Sequence, residues 1–189
     1  GTSTLDGNIT AEHIHLRPSA VLTHSQNLNS AAYFLNISAM SMTMESGSYI
    51  TLNGYGYSGM SSSKTGYGSG GGYGAGSIST LSGAGAGHAS RGGDANSPLG
   101  GSQYGSVINP TALGSAGGGT HNTERVGGTG GGALRLIAQG TIELNGTIRA
   151  NANNGLSNGG SGNSYGSGGG SGGSIWLSAE SISGIGTIT

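Results

Sequence analysis

The chain has 189 residues, and its six Lys and Arg nearly balance its seven Asp and Glu, so only 7% of the residues are charged. This composition excludes the basic face that nucleic-acid binding needs, and the absence of Cys excludes disulfides, thiolate zinc sites and a cysteine nucleophile. No apolar run approaches the roughly 18 residues of a membrane span, and no signal peptide opens the chain, so we expect any export signal to be removed or to lie outside the sequence.

Alternating apolar residues predict strands throughout the first 53 residues. Residues 5–25 predict a first coil of chain and residues 31–53 a second. In the second coil one apolar row is followed by a change of parity and then by a row of methionines, as expected where a strand turns a corner; the two rows are Leu35, Ile37 and Ala39, then Met40, Met42 and Met44.

Glycine dominates the middle of the chain, where 27 of the 44 glycines lie between residues 54 and 132. Around Gly66 to Gly76 the glycines alternate with other residues, which is a period of two, as in silk. A bundle of polyproline-type chains would need glycine at every third position, so the spacing disfavours it. We therefore expect two long insertions, 54–131 and 151–171, ordered by close packing of a bare glycine face.

Two segments of similar sequence lie near the end of the chain. They are GGALRLIAQGTIELNGTIRA at 131–150 and GGSIWLSAESISGIGTIT at 172–189. A repeat of about 40 residues is typical of stacked coils. The alignment places Leu134 over Ile175 and makes Arg135 and Trp176 outward neighbours within reach of a cation–π contact. The predicted fold is all-β, a single right-handed parallel β-helix domain of about four coils that spans residues 1–189.

The glycine-rich segment also resembles a known class of protein. The motifs are Tyr104-Gly105-Ser106, Leu113-Gly114-Ser115 and Gly117-Gly118-Gly119, followed by the two copies of the repeat. Together they resemble the glycine-rich β-helical repeats of very large secreted surface proteins of bacteria and some single-celled eukaryotes. The resemblance covers roughly residues 45–189. It implies an extracellular, structural or adhesive role, and it brings no catalytic residues.

Residues suited to catalysis or metal binding are sparse. His13 and His15 share one face at a spacing that suits a metal, but a solvated strand face is the simpler interpretation. The only aspartates are Asp6 and Asp94, and the basic residues are scattered, so we expect neither an enzyme of the polysaccharide-degrading β-helix type nor a cofactor. The threonines do not recur at one position of the repeat, which argues against ice binding.

Two groups of residues are candidates for contacts with glycans. Asn-x-Ser/Thr sequons occur at Asn8, Asn36 and Asn145, and we expect all three to be reachable for N-glycosylation. The tyrosines of the glycine-rich segment are candidate glycan or interface contacts; they are Tyr55, Tyr57, Tyr67 and Tyr73. A carbohydrate-binding or adhesive surface module is therefore the alternative function.

The two ends of the chain lack the polar caps that stacked coils carry. Leu5 and Ile9 at one end, and Ile185 and Ile188 at the other, would leave apolar edges open. We expect either further repeats of a longer polypeptide or a second copy to continue the stack, unless the true caps lie outside the sequence. The predicted function is a building block of an extracellular fibre or surface layer that assembles end to end.

Overall fold

The structure, a computed structural model, describes residues 1–60, 64–76, 81–120, 125–157 and 165–189. Parts of both predicted insertions, 54–131 and 151–171, lie outside these ranges. Within the ranges the chain forms β-strands and no helix, so no described segment is a helix that could cross a bilayer. The strands are β1 (Thr2–Thr4), β2 (Gly7–Leu16), β3 (Val21–Thr23), β4 (Leu35–Met44), β5 (Tyr49–Thr51), β6 (Ala133–Ala138), β7 (Thr141–Leu144), β8 (Thr147–Arg149), β9 (Ser174–Ser178), β10 (Ser181–Ser183) and β11 (Thr187–Ile188).

The strands form two sheets in which every pairing is parallel. One sheet has the order β1-β3-β5-β8-β11. In the other, β4 pairs with β2 on one side and with both β6 and β7 on the other, and β9 and β10 then pair with β6 and β7. The long strand β4 thus faces two short strands end to end, because the chain bends between β6 and β7.

The core lies between the two sheets and is built from the residues that alternate inward along the strands. Leu134 pairs with Ile175 and Leu136 with Leu177, which confirms the predicted alignment of the repeat. The largest side chains with no exposed surface, or almost none, are aliphatic or Met apart from two polar residues; they are Leu35, Ile37, Met42, Met44, Ile50, Leu52, Leu134, Leu136, Ile142, Ile148, His24 and Asn27.

His24 takes a place in the core that an aliphatic residue would otherwise fill. Its Nδ1 lies 2.7 Å from the carbonyl oxygen of Ser25 and donates to it, and its Nε2 accepts from the backbone N–H of Ala133 at 3.4 Å. Burial lowers the pKa of the imidazole. The side chain is therefore held as the neutral tautomer with both ring nitrogens paired.

The bend of the second sheet falls at Met40, where the parity changes as the sequence predicts. The register skips this point, pairing Ala11 with Ala39 and then His13 with Ser41. Met42 and Met44 point into the core, but Met40 is 48% exposed, so its predicted place in the inward row is wrong. The residue at a corner faces outward because the backbone there turns away from the core.

The described glycine-rich segments contain no strand, yet many of their backbone N–H groups donate hydrogen bonds to neighbouring segments. No strand lies between Thr51 and Ala133 in the described ranges. Four consecutive N–H groups, those of residues 84 to 87, donate to carbonyls of three different neighbouring segments, at Tyr73, Gly93, Gly169 and then Gly70. A strand in a flat sheet has only two neighbours, whereas an extended chain with three residues per turn, as in polyproline II, points its groups in three directions.

The glycine-rich segments between Thr51 and Ala133 and between Arg149 and Ser174, which we call the glycine bundle, pack backbone against backbone. A Cβ built on Gly127 or Gly130 would lie under 3.0 Å from backbone atoms of Gly117 or Gly114, a separation that real Cβ atoms essentially never show. The close packing of bare glycines predicted for 54–131 is thus confirmed. The predicted silk-like strand with a period of two is wrong, because the described residues between Thr51 and Ala133 contain no strand.

These findings correct the predicted fold. The protein is all-β with parallel strands, but a plain right-handed β-helix of about four coils with two insertions does not describe it. Two parallel sheets of unequal make-up, one of them curled, are joined by a strandless glycine bundle. The bundle belongs to the body of the fold, since Gly132 and Gly173 donate hydrogen bonds to Leu52 and Ala150 at the ends of the sheet strands.

Candidate functional site

Each sheet has two edges that pair with no other strand in the described part of the chain. We call β1 and β2 the first edge, and β9, β10 and β11 the last edge. At the first edge Leu5 is 39% exposed and Ile9 packs half-buried against the core. At the last edge Ile185 is 91% exposed and Ile188 is 50% exposed. The four residues predicted for end-to-end assembly therefore lie at the two open edges, two at each.

Polar side chains on the outer face of the second sheet form a continuous row across the strands. Asn8, Asn36, Arg135 and Trp176 are aligned by the register. The Nδ2 of Asn36 donates to Oδ1 of Asn8 at 2.6 Å, and Arg135 donates to Oδ1 of Asn36 at 2.9 Å. The guanidinium carbon of Arg135 lies 5.0 Å from the ring centroid of Trp176, which confirms the predicted cation–π contact.

The three sequon asparagines differ in how accessible their amides are. Asn8 is exposed, whereas Asn36 and Asn145 are half-buried. The amide of Asn36 is held on both sides by Asn8 and Arg135. That of Asn145 donates to Glu143 and accepts from the backbone N–H of Ile185. Asn8 is thus the sequon whose side chain is most open to solvent.

The four candidate tyrosines do not share one pocket. Tyr55 packs edge-on against buried His24, with ring centroids 5.6 Å apart. Tyr67 is half-buried in the glycine bundle, and Tyr73 is 51% exposed. Tyr57, by contrast, lines a cleft with other aromatic side chains, so the structure separates the group that the sequence placed together.

The cleft around Tyr57, which we call the aromatic cleft, has a volume of about 230 Å³. It is formed by segments far apart in the sequence. Its lining residues are Ala31, Tyr33, Phe34, Tyr57, Ser69, Tyr104, Thr111, Ala112 and Leu113. Tyr33, Phe34 and Tyr104 were not among the candidate contacts marked by the sequence, since they come together only when the bundle folds.

Tyr104 is fixed in the wall of this cleft by its neighbours. Its hydroxyl donates to the carbonyl of Leu113 and accepts from Ser115 Oγ at 2.9 Å. Its ring packs at a tilt against His88, with 4.7 Å between centroids. Burial raises the pKa of the Tyr104 phenol and lowers that of His88. Both groups are therefore neutral near pH 7 and have structural partners.

A second concave surface follows the bend of the second sheet. This outer groove has a volume of about 550 Å³ and is lined by Thr10, Ala11, Glu12, Ser38, Ala39, Met40, Ile137 and Gln139. It crosses β2, β4 and β6. Met40, which is exposed at the bend, lines this groove.

Several other titratable side chains are paired with neighbours. His13 Nδ1 lies 2.7 Å from Ser41 Oγ, and His15 Nε2 lies 2.5 Å from Glu45 Oε1. Asp6 accepts from the backbone and the hydroxyl of Ser25, and the backbone bond lowers the pKa of its carboxyl. No three His, Asp or Glu side chains come close enough to hold a metal ion within the described ranges.

The open edges and the aromatic cleft are thus candidate binding surfaces in the described part of the chain. Comparison of the chain with protein-family models, with curated proteins and with solved structures found no match.

Proposed function

We propose that the chain is a structural protein, a building block of an extracellular fibre or surface layer in which copies join end to end through the open edges of both sheets. The partner is a second copy, or in a longer polypeptide the next repeat. One observation supports this most strongly. The inward-facing apolar rows of the second sheet end at both of its edges, and the end residues of each row occupy corresponding positions on the two edges.

The second sheet shows the match residue by residue. One inward row runs Ile9, Ile37, Leu136, Leu177 and another runs Ile14, Met42, Ile142, Ile182. Laying the first edge of another copy on the last edge, in the same register, would place Ile9 on Leu177 and Ile14 on Ile182. Successive strands in a sheet lie about 4.8 Å apart, so both pairs would be in contact.

The bend of the strands favours the same register. β2 is one continuous strand of ten residues with a change of parity near Glu12, as β4 has at Met40. The last edge is divided at the corresponding point, between β9 and β10. A copy of β2 would therefore lie on β9 and β10 as β4 lies on β6 and β7.

The first sheet extends in the same direction. Its central inward row runs Ser3, Leu22, Ile50, Ile148, Ile188. The next copy would cover Ile188, half of whose surface is exposed, with Ser3. Since the first edge of one copy meets the last edge of another, the contact is head to tail and generates an open filament.

A lysine on the last edge tests this proposal. We expect sedimentation velocity and electron microscopy to show that the parent chain forms filaments as its concentration rises. Ile182→Lys and Ile188→Lys should remain monomeric, because a charge at a sheet edge opposes strand addition. Leu99→Lys is the matched control, since Leu99 is 57% exposed and belongs to neither sheet.

Two results would overturn the proposal. One is a folded parent chain that stays monomeric at every concentration. The other is loss of assembly in Leu99→Lys to the same extent as in the edge variants, which would indicate association through general surface hydrophobicity. The extracellular location rests on the resemblance of the glycine-rich segments to secreted surface proteins, and immunogold labelling of intact cells would test it.

A further inference from the structure

We propose that the aromatic cleft binds one neutral sugar ring. Its volume of about 230 Å³ lies below the usual range of about 300–1,000 Å³ for pockets that hold drug-sized molecules, so it suits a single small ring. The proposal is separate from end-to-end assembly, because no residue of the first or last edge lines the cleft.

The chemistry of the lining selects the class of ligand. Four aromatic rings, those of Tyr33, Phe34, Tyr57 and Tyr104, offer apolar faces. No charged side chain lines the cleft, which disfavours anions and cations. A ligand must therefore be neutral and must have at least one apolar face.

Hydroxyl groups at the cleft distinguish a sugar from a purely apolar ring. The side-chain hydroxyls of Tyr33, Tyr57, Ser69 and Thr111 make no hydrogen bond to other described residues. A pyranose presents axial C–H groups on its faces and O–H groups around its rim. It could thus stack on the rings and hydrogen-bond to these hydroxyls, whereas a benzene-like ring would leave them without partners.

Part of the wall of the cleft is held in place before any ligand binds. Tyr104 is fixed by Leu113, Ser115 and His88. The backbone of Tyr33 is fixed by buried Asn27, which donates to its carbonyl at 2.8 Å and accepts from its N–H at 2.9 Å. A preorganised site loses less conformational entropy on binding, which favours a measurable affinity for a small ligand.

Calorimetric and NMR titration with the methyl glycosides of glucose, galactose, mannose and N-acetylglucosamine tests the proposal. Ligands with about 13 non-hydrogen atoms and an ordinary efficiency bind with a Kd of about 1 mM, so we expect at least one glycoside to bind in this range. Phe34→Ala and Tyr57→Ala should each weaken binding about tenfold. Tyr57→Phe keeps the ring and should lose a smaller part of the affinity.

Tyr73→Ala is the control, because Tyr73 is exposed outside the cleft and its loss should leave binding unchanged. Far-ultraviolet circular dichroism and melting of each variant show whether it is folded. Absence of binding by all four glycosides to the folded parent chain would overturn the proposal. So would binding that survives both Phe34→Ala and Tyr57→Ala, or binding of phenol in preference to every glycoside.

Discussion

A methyl group added inside the glycine bundle should destabilise the protein, whereas the same methyl group on its surface should not. Gly130 and Gly93 form a matched pair for this test. A Cβ on Gly130 would lie under 3.0 Å from backbone atoms of Gly114 and Ser115, and a Cβ on Gly93 would meet nothing within 4 Å. Since Gly114 presents backbone at this point, it cannot move aside as a flexible side chain would.

The expected loss in Gly130→Ala comes from two sources. Overpacking of a closely packed interior costs about 1–3 kcal/mol. Moving Gly130 away from Gly114 also weakens the two hydrogen bonds that join Gly130 to the segment of Gly56 and Tyr57. They run from Gly130 N to Tyr57 O at 2.9 Å and from Gly56 N to Gly130 O at 2.8 Å. Each contributes about 0.5–1.5 kcal/mol. The total is about 2–6 kcal/mol, while Gly93→Ala should gain about 0.4–1 kcal/mol by restricting the unfolded chain.

Urea denaturation measures the difference in stability between the two variants. Unfolding is monitored by circular dichroism and by the fluorescence of Trp176, the single tryptophan. The midpoint of Gly130→Ala should fall well below that of the parent chain, and that of Gly93→Ala should equal or exceed it, with unchanged slopes. Equal midpoints for the two variants would refute the conclusion that backbone contact holds the bundle together.

Two other perturbations test the core. Leu136→Ala should lower the free energy of unfolding by about 2–5 kcal/mol, because Leu136 has no exposed surface; a change within experimental error would contradict its place in the core. Lowering the pH should also destabilise the protein, because burial lowers the pKa of His24 and of His88 in the folded state. The unfolded chain takes up protons near the ordinary histidine pKa of about 6.5 while the folded chain does not, so stability is full above this pH and falls as the pH drops through it. A urea midpoint that is flat between about pH 7.5 and 5.5 would contradict this.

Strand pairing is the part of the fold that the sequence could predict. The two copies of the repeat carry the same alternation of apolar residues, and a strand has only one register that buries such a row. For this reason the alignment of Leu134 with Ile175, and of Arg135 with Trp176, could be worked out before any coordinates were known.

The glycine bundle could not be predicted in the same way. Glycine has no side chain, so its spacing does not show which face packs, and the alternation around Gly66 to Gly76 predicted a strand where the described residues form none. The aromatic cleft escaped prediction because it depends on how the bundle folds. Of its aromatic residues, only Tyr57 was among the tyrosines that the sequence marked as candidate contacts.

The glycine bundle also bears on how the stability of the protein varies with temperature. The heat capacity of unfolding rises with the apolar surface that unfolding exposes and falls with the polar surface. In the bundle, buried peptide groups replace much of the apolar side-chain surface of an ordinary core, as the bare contacts of Gly130 with Gly114 and of Gly127 with Gly117 show. The heat-capacity change per residue should therefore lie below the usual range of about 12–15 cal/mol/K. A smaller value flattens the stability curve, so the folded state would lose little stability over a wide span of temperature on either side of its optimum.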